Sequence, residues 1–328
     1  MRSVVKPALA GVITLIAMVV LAACGSSSSS SSASGASGAS SSSTSASSGS
    51  GGSSQPGKGK PAIVIGDKNF TEEYILGDLY QQALQAKGYT VNLKPNIGSS
   101  ELTDKALTSG QIQMYPEYTG VILSVIKGQS KVPVSAAATY AAAKAFEEGR
   151  GYTLLNPTPF QDRDVTITLK AFATKNHLTS MEDLKKLPSF TNGGPPENKT
   201  RYEGLVGMHQ AYHLNNVQFV PLTIGLQYQA LDSGKVDTAQ GFTTDGQLAS
   251  GKYALLDDPQ HIYGFQQVVP VVSSKLLQQE GPAFAQTLNA VDATLTNTVM
   301  QKLNAAVVLD KVDAATVAKD YLKANGLL

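Results

Sequence analysis

Between Gly25 and Lys60 the chain is almost entirely Ser, Gly and Ala. Such a stretch has too few apolar side chains to build a core, so it reads as a flexible coil. About 35 residues of this kind give an r.m.s. reach of roughly 30–35 Å, enough to hold a folded module away from whatever precedes it. Folding is therefore expected from about Pro61 to Leu328. That span is long for one domain and natural for two lobes.

Upstream of the tract, Arg2 and Lys6 precede an apolar run from Ala8 to Leu21, which is short for a membrane span. The run ends in Leu21-Ala22-Ala23-Cys24. Small residues before a cut site and a cysteine after it form the pattern of an exported chain acylated at its new N-terminus. Cys24 is the only cysteine, which excludes an internal disulfide and multi-cysteine zinc sites. Residues 1–23 thus read as a lipoprotein signal peptide and 24–60 as a lipidated cysteine with its spacer. The expected location is the cell membrane, lipid-anchored on the extracellular or periplasmic face.

The 26 Lys and Arg residues nearly balance 25 Asp and Glu, for a net charge of +1. Loss of Arg2 and Lys6 makes that balance slightly negative. No basic excess remains to hold nucleic acid.

Past Pro61 the pattern alternates between strand and helix signals. Ala62 to Gly66 is a short β-branched run. Asn69 with Glu72 three residues on marks a helix start, and the apolar face continues to about Lys87 before Gly88 stops it. Val91 and Leu93 alternate as a strand, and a helix follows near Glu101 to Ser109. Val165, Ile167 and Leu169 alternate clearly. Further strands are expected at Phe190-Thr191, Phe219-Val220, Val236 to Phe242 and Val268 to Val272, with a helix over Thr200 to His213. The last 50 or so residues are helical by pattern, with Pro282 near one start. This alternation indicates α/β layers.

One internal echo sharpens the reading. Ala106-Leu107-Thr108-Ser109-Gly110-Gln111-Ile112-Gln113 matches Ala230-Leu231-Asp232-Ser233-Gly234-Lys235-Val236-Asp237. Each reads as helix end, glycine stop and strand start. The two copies lie too far apart for a solenoid period. They fit either a common turn used twice or two similar α/β lobes whose strand ends face a shared cleft.

Catalytic and cofactor patterns are missing. Gly98-Ser99-Ser100-Glu101 lacks the lysine of a phosphate loop. His209 and His213 have helical spacing, but Gln210 stands where a zinc protease carries glutamate. There is no Gly-x-Ser-x-Gly elbow. No enzyme activity and no cofactor are implied. What remains is aromatic: 13 Tyr and 9 Phe with no Trp, several of them near predicted strand ends. Aromatic faces attract cations, and cages of them recognise quaternary ammonium groups.

Four stretches carry a family resemblance: Gly66-Asp67-Lys68-Asn69-Phe70-Thr71-Glu72-Glu73, Ile97-Gly98-Ser99-Ser100, Tyr115-Pro116-Glu117-Tyr118-Thr119-Gly120 and Phe242-Thr243-Thr244-Asp245-Gly246. They resemble the substrate-binding proteins of glycine betaine/choline ABC importers over nearly all of Pro61 to Leu328. The resemblance implies a two-lobed α/β fold of the periplasmic-binding-protein type (type II), with a ligand cleft between the lobes. It implies capture of a quaternary ammonium osmoprotectant, glycine betaine, choline or similar, and delivery to a membrane permease with its ATPase. A monomer is expected. The first lobe is expected to span 61–164 with a return at 268–328, and the second 165–267.

Carried over by position, Tyr118 resembles the cage tyrosine of the first lobe and Phe242 the aromatic after the second-lobe strand. Phe265 and Tyr263 are looser matches for another wall. Arg201 resembles the arginine that meets a ligand carboxylate, and Lys68 lies in the first strand-to-helix loop. Asp164 departs from the pattern, standing where many members carry a cage tyrosine. Two readings of it are open. It supplies a formal charge to a cation in place of a ring face, or it pairs with Arg163 or Arg201 and fills no pocket. A different solute, and a sensor or scaffold role on the same fold, are the alternatives to import of a betaine.

Overall fold

The computed structural model describes residues 55–131 and 133–328. The expectations for the signal peptide, for Cys24 and for most of the Ser/Gly tract lie outside these residues. The end of the tract corrects the expected onset of folding. Residues 56–59 form a turn in which the Gly57 N–H donates to the Lys87 carbonyl at 3.0 Å. A Cβ at Gly57 would lie 2.3 Å from the Tyr89 nitrogen, so only glycine permits this approach. The folded unit therefore begins before Pro61.

Among the described residues, ten strands form two five-stranded mixed sheets. Those of the first sheet are β1 (Ile63–Gly66), β2 (Val91–Lys94), β3 (Met114–Tyr118), β4 (Tyr152–Leu154) and β10 (Val268–Ser273). Those of the second are β5 (Asp164–Leu169), β6 (Phe190–Gly194), β7 (Val217–Pro221), β8 (Thr238–Phe242) and β9 (Tyr253–Leu256). The orders are β2-β1-β3-β10-β4 and β7-β6-β8-β5-β9. The two sheets share one plan. In each, the second strand in order runs parallel to both of its neighbours, and the fourth runs antiparallel to both of its own.

The internal echo sits at the same place in both plans. Helix α1 spans Thr71–Ala86, and α2, Ser100–Thr108, leads through Gly110 into β3. Helix α3, Gln227–Asp232, leads through Gly234 into β8. Both glycines have left-handed backbones, with φ of 76° and 68°, as a helix stop before a strand requires. The strands that follow are the central ones of their sheets. Tyr118 and Phe242, which end them, therefore both arrive at strand C-termini facing the cleft.

Each sheet is covered on both faces. Met114, Val268 and Val272 pack under α1 and the C-terminal helices, whereas Tyr115, Val269 and Val271 face the opposite layer. This alternation is the period-two geometry of strands. In the second lobe, Phe190 and Tyr212 lie in one core, and Ile167, Ala239 and Leu231 in another.

The chain crosses between sheets twice, from β4 to β5 and from β9 to β10, and an antiparallel bridge joins the crossings at Gln161 and Gln267. Helix α4, Asn297–Val308, belongs to the C-terminal return and reaches the second lobe. A Cβ at Gly246 would lie 2.5 Å from Ala305 Cα, a direct backbone contact across the cleft.

Two local expectations differ from the structure. Asn69 does not cap α1. Phe70 occupies that position with an extended backbone and no side-chain cap. The expected helix over Thr200 to His213 is broken. Tyr202–Val206 is wide-turned, Gly204 departs from helical angles, and only Gly207–Gln210 forms an α-helical turn. A Cβ at Gly204 would lie 2.2 Å from the Asn198 carbonyl oxygen, so the segment folds back on its own approach instead of running straight. Among the described residues no helix is long and apolar enough to cross a membrane.

Candidate functional site

The loop after β1 delivers Lys68 and Phe70 to the cleft. Lys68 is only 2% exposed, although its side chain carries an ammonium group. Its ammonium pairs with Glu117 and lies 3.4 Å from Glu73. It also stands 4.2 Å from the centre of the Tyr118 ring and 5.7 Å from that of Phe70. Two carboxylates and two ring faces thus replace the water it has lost. Burial pushes the Glu73 carboxyl well up, against the pull of Lys68.

Three rings from two lobes lie nearly parallel. Phe70 stacks on Phe242 with centroids 5.6 Å apart and planes 8° apart, and on Tyr118 at 6.2 Å and 23°. Phe70 comes from the first lobe and Phe242 from the second, so the stack closes the cleft. The Phe242 backbone is held in turn by Asp245, which accepts its N–H at 2.8 Å and the Tyr228 hydroxyl at 2.7 Å.

Behind the rings, Glu72 connects both lobes. One oxygen accepts from the Tyr118 hydroxyl at 2.8 Å. The other accepts from the Thr244 hydroxyl at 2.6 Å and from Asn304 on α4 at 3.0 Å. Burial raises the Glu72 carboxyl, and the three hydrogen bonds oppose that rise.

The wall of the second lobe is built by register. Asp164 on β5 pairs with Phe242 on β8, and Gln240 lies two residues before Phe242, on the same face. Gln240 donates to Asp164, which is 9% exposed. Burial and the nearby Glu203 push the Asp164 carboxyl up to about 7, against Gln240 and Arg201. Neither Arg163 nor Arg201 forms an ion pair with Asp164 among the described residues, and Asp164 lines the cavity. The reading in which it pairs away with arginine and fills no pocket is thereby corrected.

Arg201 lines the same cavity but is engaged. It donates through Nε to Glu101 Oε1 at 3.1 Å and through a terminal nitrogen to Oε2 at 2.6 Å. Glu101 lies on α2 of the opposite lobe, so this two-pronged pair spans the cleft mouth. Burial alone would raise the Glu101 carboxyl. The hydrogen bonds from Arg201 and Ser99 outweigh it and hold the group below its ordinary range.

A small cavity lies between the lobes. Of the residues expected from sequence, Lys68, Tyr118, Asp164, Arg201 and Phe242 meet there. Tyr263 and Phe265 do not line it. Tyr263 is buried behind β5, its hydroxyl 2.6 Å from that of Thr166, and the Phe265 carbonyl accepts from Thr119. Sequence reasoning missed Phe70, Asn198 and Gln240 as wall residues. Phe70 stood inside a helix-start signal, and Gln240 was legible only through its two-residue offset from Phe242.

The cavity's charges are unequal in their commitments. Its two cations, Lys68 and Arg201, are both paired with carboxylates. Its acids Asp162, Asp164 and Glu197 form no ion pair among the described residues. The arrangement offers ring faces and carboxyl groups that burial pushes toward the neutral form and that an entering cation would favour in the ionised one.

Residues 61–324 match the family model described as the substrate binding domain of the ABC-type glycine betaine transport system. The chain is 31% identical to a glycine-betaine-binding protein of Pseudomonas aeruginosa, over 80% of this chain and 88% of that one. It is 29% identical to the glycine betaine-binding protein YehZ of Escherichia coli, over 83% and 93% of the two chains. A solved structure titled as a glycine betaine/carnitine/choline ABC transporter shares the fold, with a TM-score of 0.66 and 24% identity over 81% of this chain and 99% of that one. With paired α/β sheets, a cleft between them and a match over nearly the whole folded span, the chain belongs to the family of substrate-binding domains of ABC-type glycine betaine transport systems.

Proposed function

We propose that this chain captures a quaternary ammonium solute outside the membrane and hands it to an ABC permease. The observation that carries the reading is the cleft wall itself. Tyr118, Phe70 and Phe242 present near-parallel rings beside the carboxyl groups of Asp162 and Asp164, which form no ion pair among the described residues. A quaternary ammonium group cannot donate a conventional N–H hydrogen bond, so ring faces, and carboxyls that a bound cation favours in the ionised form, are what hold it. Closure of both lobes around the solute would complete the site, because Phe70 and Phe242 come from different lobes. Anchoring through a lipid on Cys24, with the Ser/Gly tract as a tether, would keep the captured solute near the permease.

Calorimetric titration of the purified chain with glycine betaine, choline, carnitine and glycerol tests the reading. Saturable binding of at least one quaternary ammonium compound is expected, with none for glycerol. Binding unchanged by Tyr118→Ala and Phe242→Ala together would overturn it. The anchor has its own check: Cys24→Ser should release the protein from the membrane fraction.

A further inference from the structure

Behind the ring stack, where the lobes touch, two buried carboxyls reach one residue of the second lobe. Glu72 lies on α1 and Asp162 on the first crossing. The Thr244 hydroxyl donates to Glu72 Oε2 at 2.6 Å, and the Thr244 N–H donates to Asp162 Oδ1 at 3.1 Å. Asp162 is also tied to the hinge, because its own N–H donates to the Gln266 carbonyl of the second crossing at 3.1 Å. A third acid, Asp245, follows Thr244 and is engaged by the Phe242 N–H and the Tyr228 hydroxyl.

The surroundings supply little positive charge. No lysine or arginine forms an ion pair with Glu72, Asp162 or Asp245 among the described residues. Lys68 attracts Glu72 but pairs with Glu117 and Glu73. Lys311, at the rim of the adjoining space, donates to the Val308 carbonyl at 2.8 Å, and Arg163 is exposed. The remaining partners of Glu72 are the neutral Tyr118 hydroxyl and Asn304 amide. Asn304 is itself 4% exposed, and its Oδ1 has no donor among the described residues. The contact is therefore rich in acceptors and short of protons. Burial raises both carboxyls, and Glu72 and Asp245 raise Asp162 further against the hydrogen bonds from Thr244. Buried like charges resist joint ionisation.

We propose that closing the lobes takes up one proton at the Glu72–Asp162 pair, which makes the contact around Thr244 a pH-sensitive latch. Opening parts Thr244 from Glu72 and admits water to the pair, whose carboxyls ordinarily ionise near 4.5 and 3.8. The closed form holds the proton more tightly than the open one. Closure is thus favoured at low pH and weakens as pH rises above those ordinary values. The pair across the cleft mouth does not titrate in this way, because Arg201 holds Glu101 below its ordinary range. The latch belongs to the contact between lobes and does not depend on which solute fills the cavity.

The test is energy transfer between fluorophores on exposed positions, one on each lobe, of the purified ligand-free chain. Between about pH 8 and about pH 5 the closed-to-open ratio should rise as pH falls, by up to about tenfold per pH unit for one proton. Asp162→Asn keeps an acceptor for the Thr244 N–H and removes the charge. It should flatten the curve and hold the lobes together at the high-pH end. Glu72→Gln should flatten it as well, and serves if the first variant fails to fold. Asp164→Asn, altered on the second-lobe wall away from Thr244, should retain most of the slope. A distance constant over the whole range would overturn the proposal. So would a slope that Asp162→Asn and Glu72→Gln leave intact, or one that Asp164→Asn alone removes.

Discussion

Glu72, in the first turn of α1, accepts a hydrogen bond from the Thr244 hydroxyl of the opposite lobe at 2.6 Å. The same carboxyl accepts from Tyr118, so one side chain ties the aromatic wall of the first lobe to the loop after Phe242. The bond exists only while the lobes are together. It is a local contact that reports on a global state.

Thr244→Val should therefore weaken ligand binding more than it weakens the fold. Loss of a hydrogen bond to a carboxyl group amounts to about 1.5–3 kcal/mol, or roughly tenfold or more in Kd, drawn from the closed state. Titration calorimetry beside a thermal melt separates the two effects. An unchanged Kd with a lowered Tm would mean that the bond serves the fold and not closure.

The pair across the cleft mouth predicts a change in selectivity. Glu101→Gln removes the charge that occupies Arg201 while keeping the shape of the side chain. Arg201 should then be free to meet a carboxylate, so glycine betaine should gain affinity relative to choline. Stability should change little, by about 1 kcal/mol or less, because Glu101 is well exposed to solvent. Competition between the two ligands on the variant and the parent reads the ratio directly.

Lys68 should be among the least replaceable residues of the cleft. Lys68→Met leaves Glu73 and Glu117 facing each other without their shared cation, and both are fully buried. Breaking a buried pair from one side costs about 3–5 kcal/mol. A marked drop in Tm is expected even without ligand, and the double variant with Glu117→Gln should recover part of it.

The pH dependence follows from carboxyls that burial holds protonated. Asp164 is pushed up to about 7 by burial and then Glu203, Asp67 to about 7 by burial and then Asp78, and Asp245 to about 6 by burial and then Glu72. In the unfolded chain each ionises near 3.8. Between those limits the native state binds more protons than the unfolded state, so stability falls as pH rises from about 4 to about 7. Calorimetric melts of the unliganded protein across that range should show Tm declining, and Asp164→Asn should flatten the decline. A bound cation favours the ionised form of Asp164, so affinity for it should rise over the same interval.

Much of the architecture was legible in the sequence because its signals are local. The alternation of Val165, Ile167 and Leu169 marks a strand by period alone, and the repeated helix-glycine-strand turn marks the central strand of each lobe. The motif around Tyr118 and the aromatic at Phe242 announced two ends of one cleft. Where local signals misled, a longer-range approach had taken over. Phe70 sits where a cap was expected because its ring is held by Tyr118 and Phe242. The segment after Arg201 breaks because Gly204 must pass the Asn198 backbone.

The sequence by itself determined two α/β lobes, an aromatic cleft and the family to which they belong, since each depends on residue type and short-range spacing. Only the tertiary structure decided which charges in the cleft are committed. Arg201 finds Glu101 and Lys68 finds Glu117 far away along the chain, whereas Asp164 finds an amide and the Asn198 Nδ2 has no partner among the described residues. Those outcomes depend on distances between segments brought together by packing, and a carboxylate's effect on a ligand depends on whether a cation lies within a few ångströms of it.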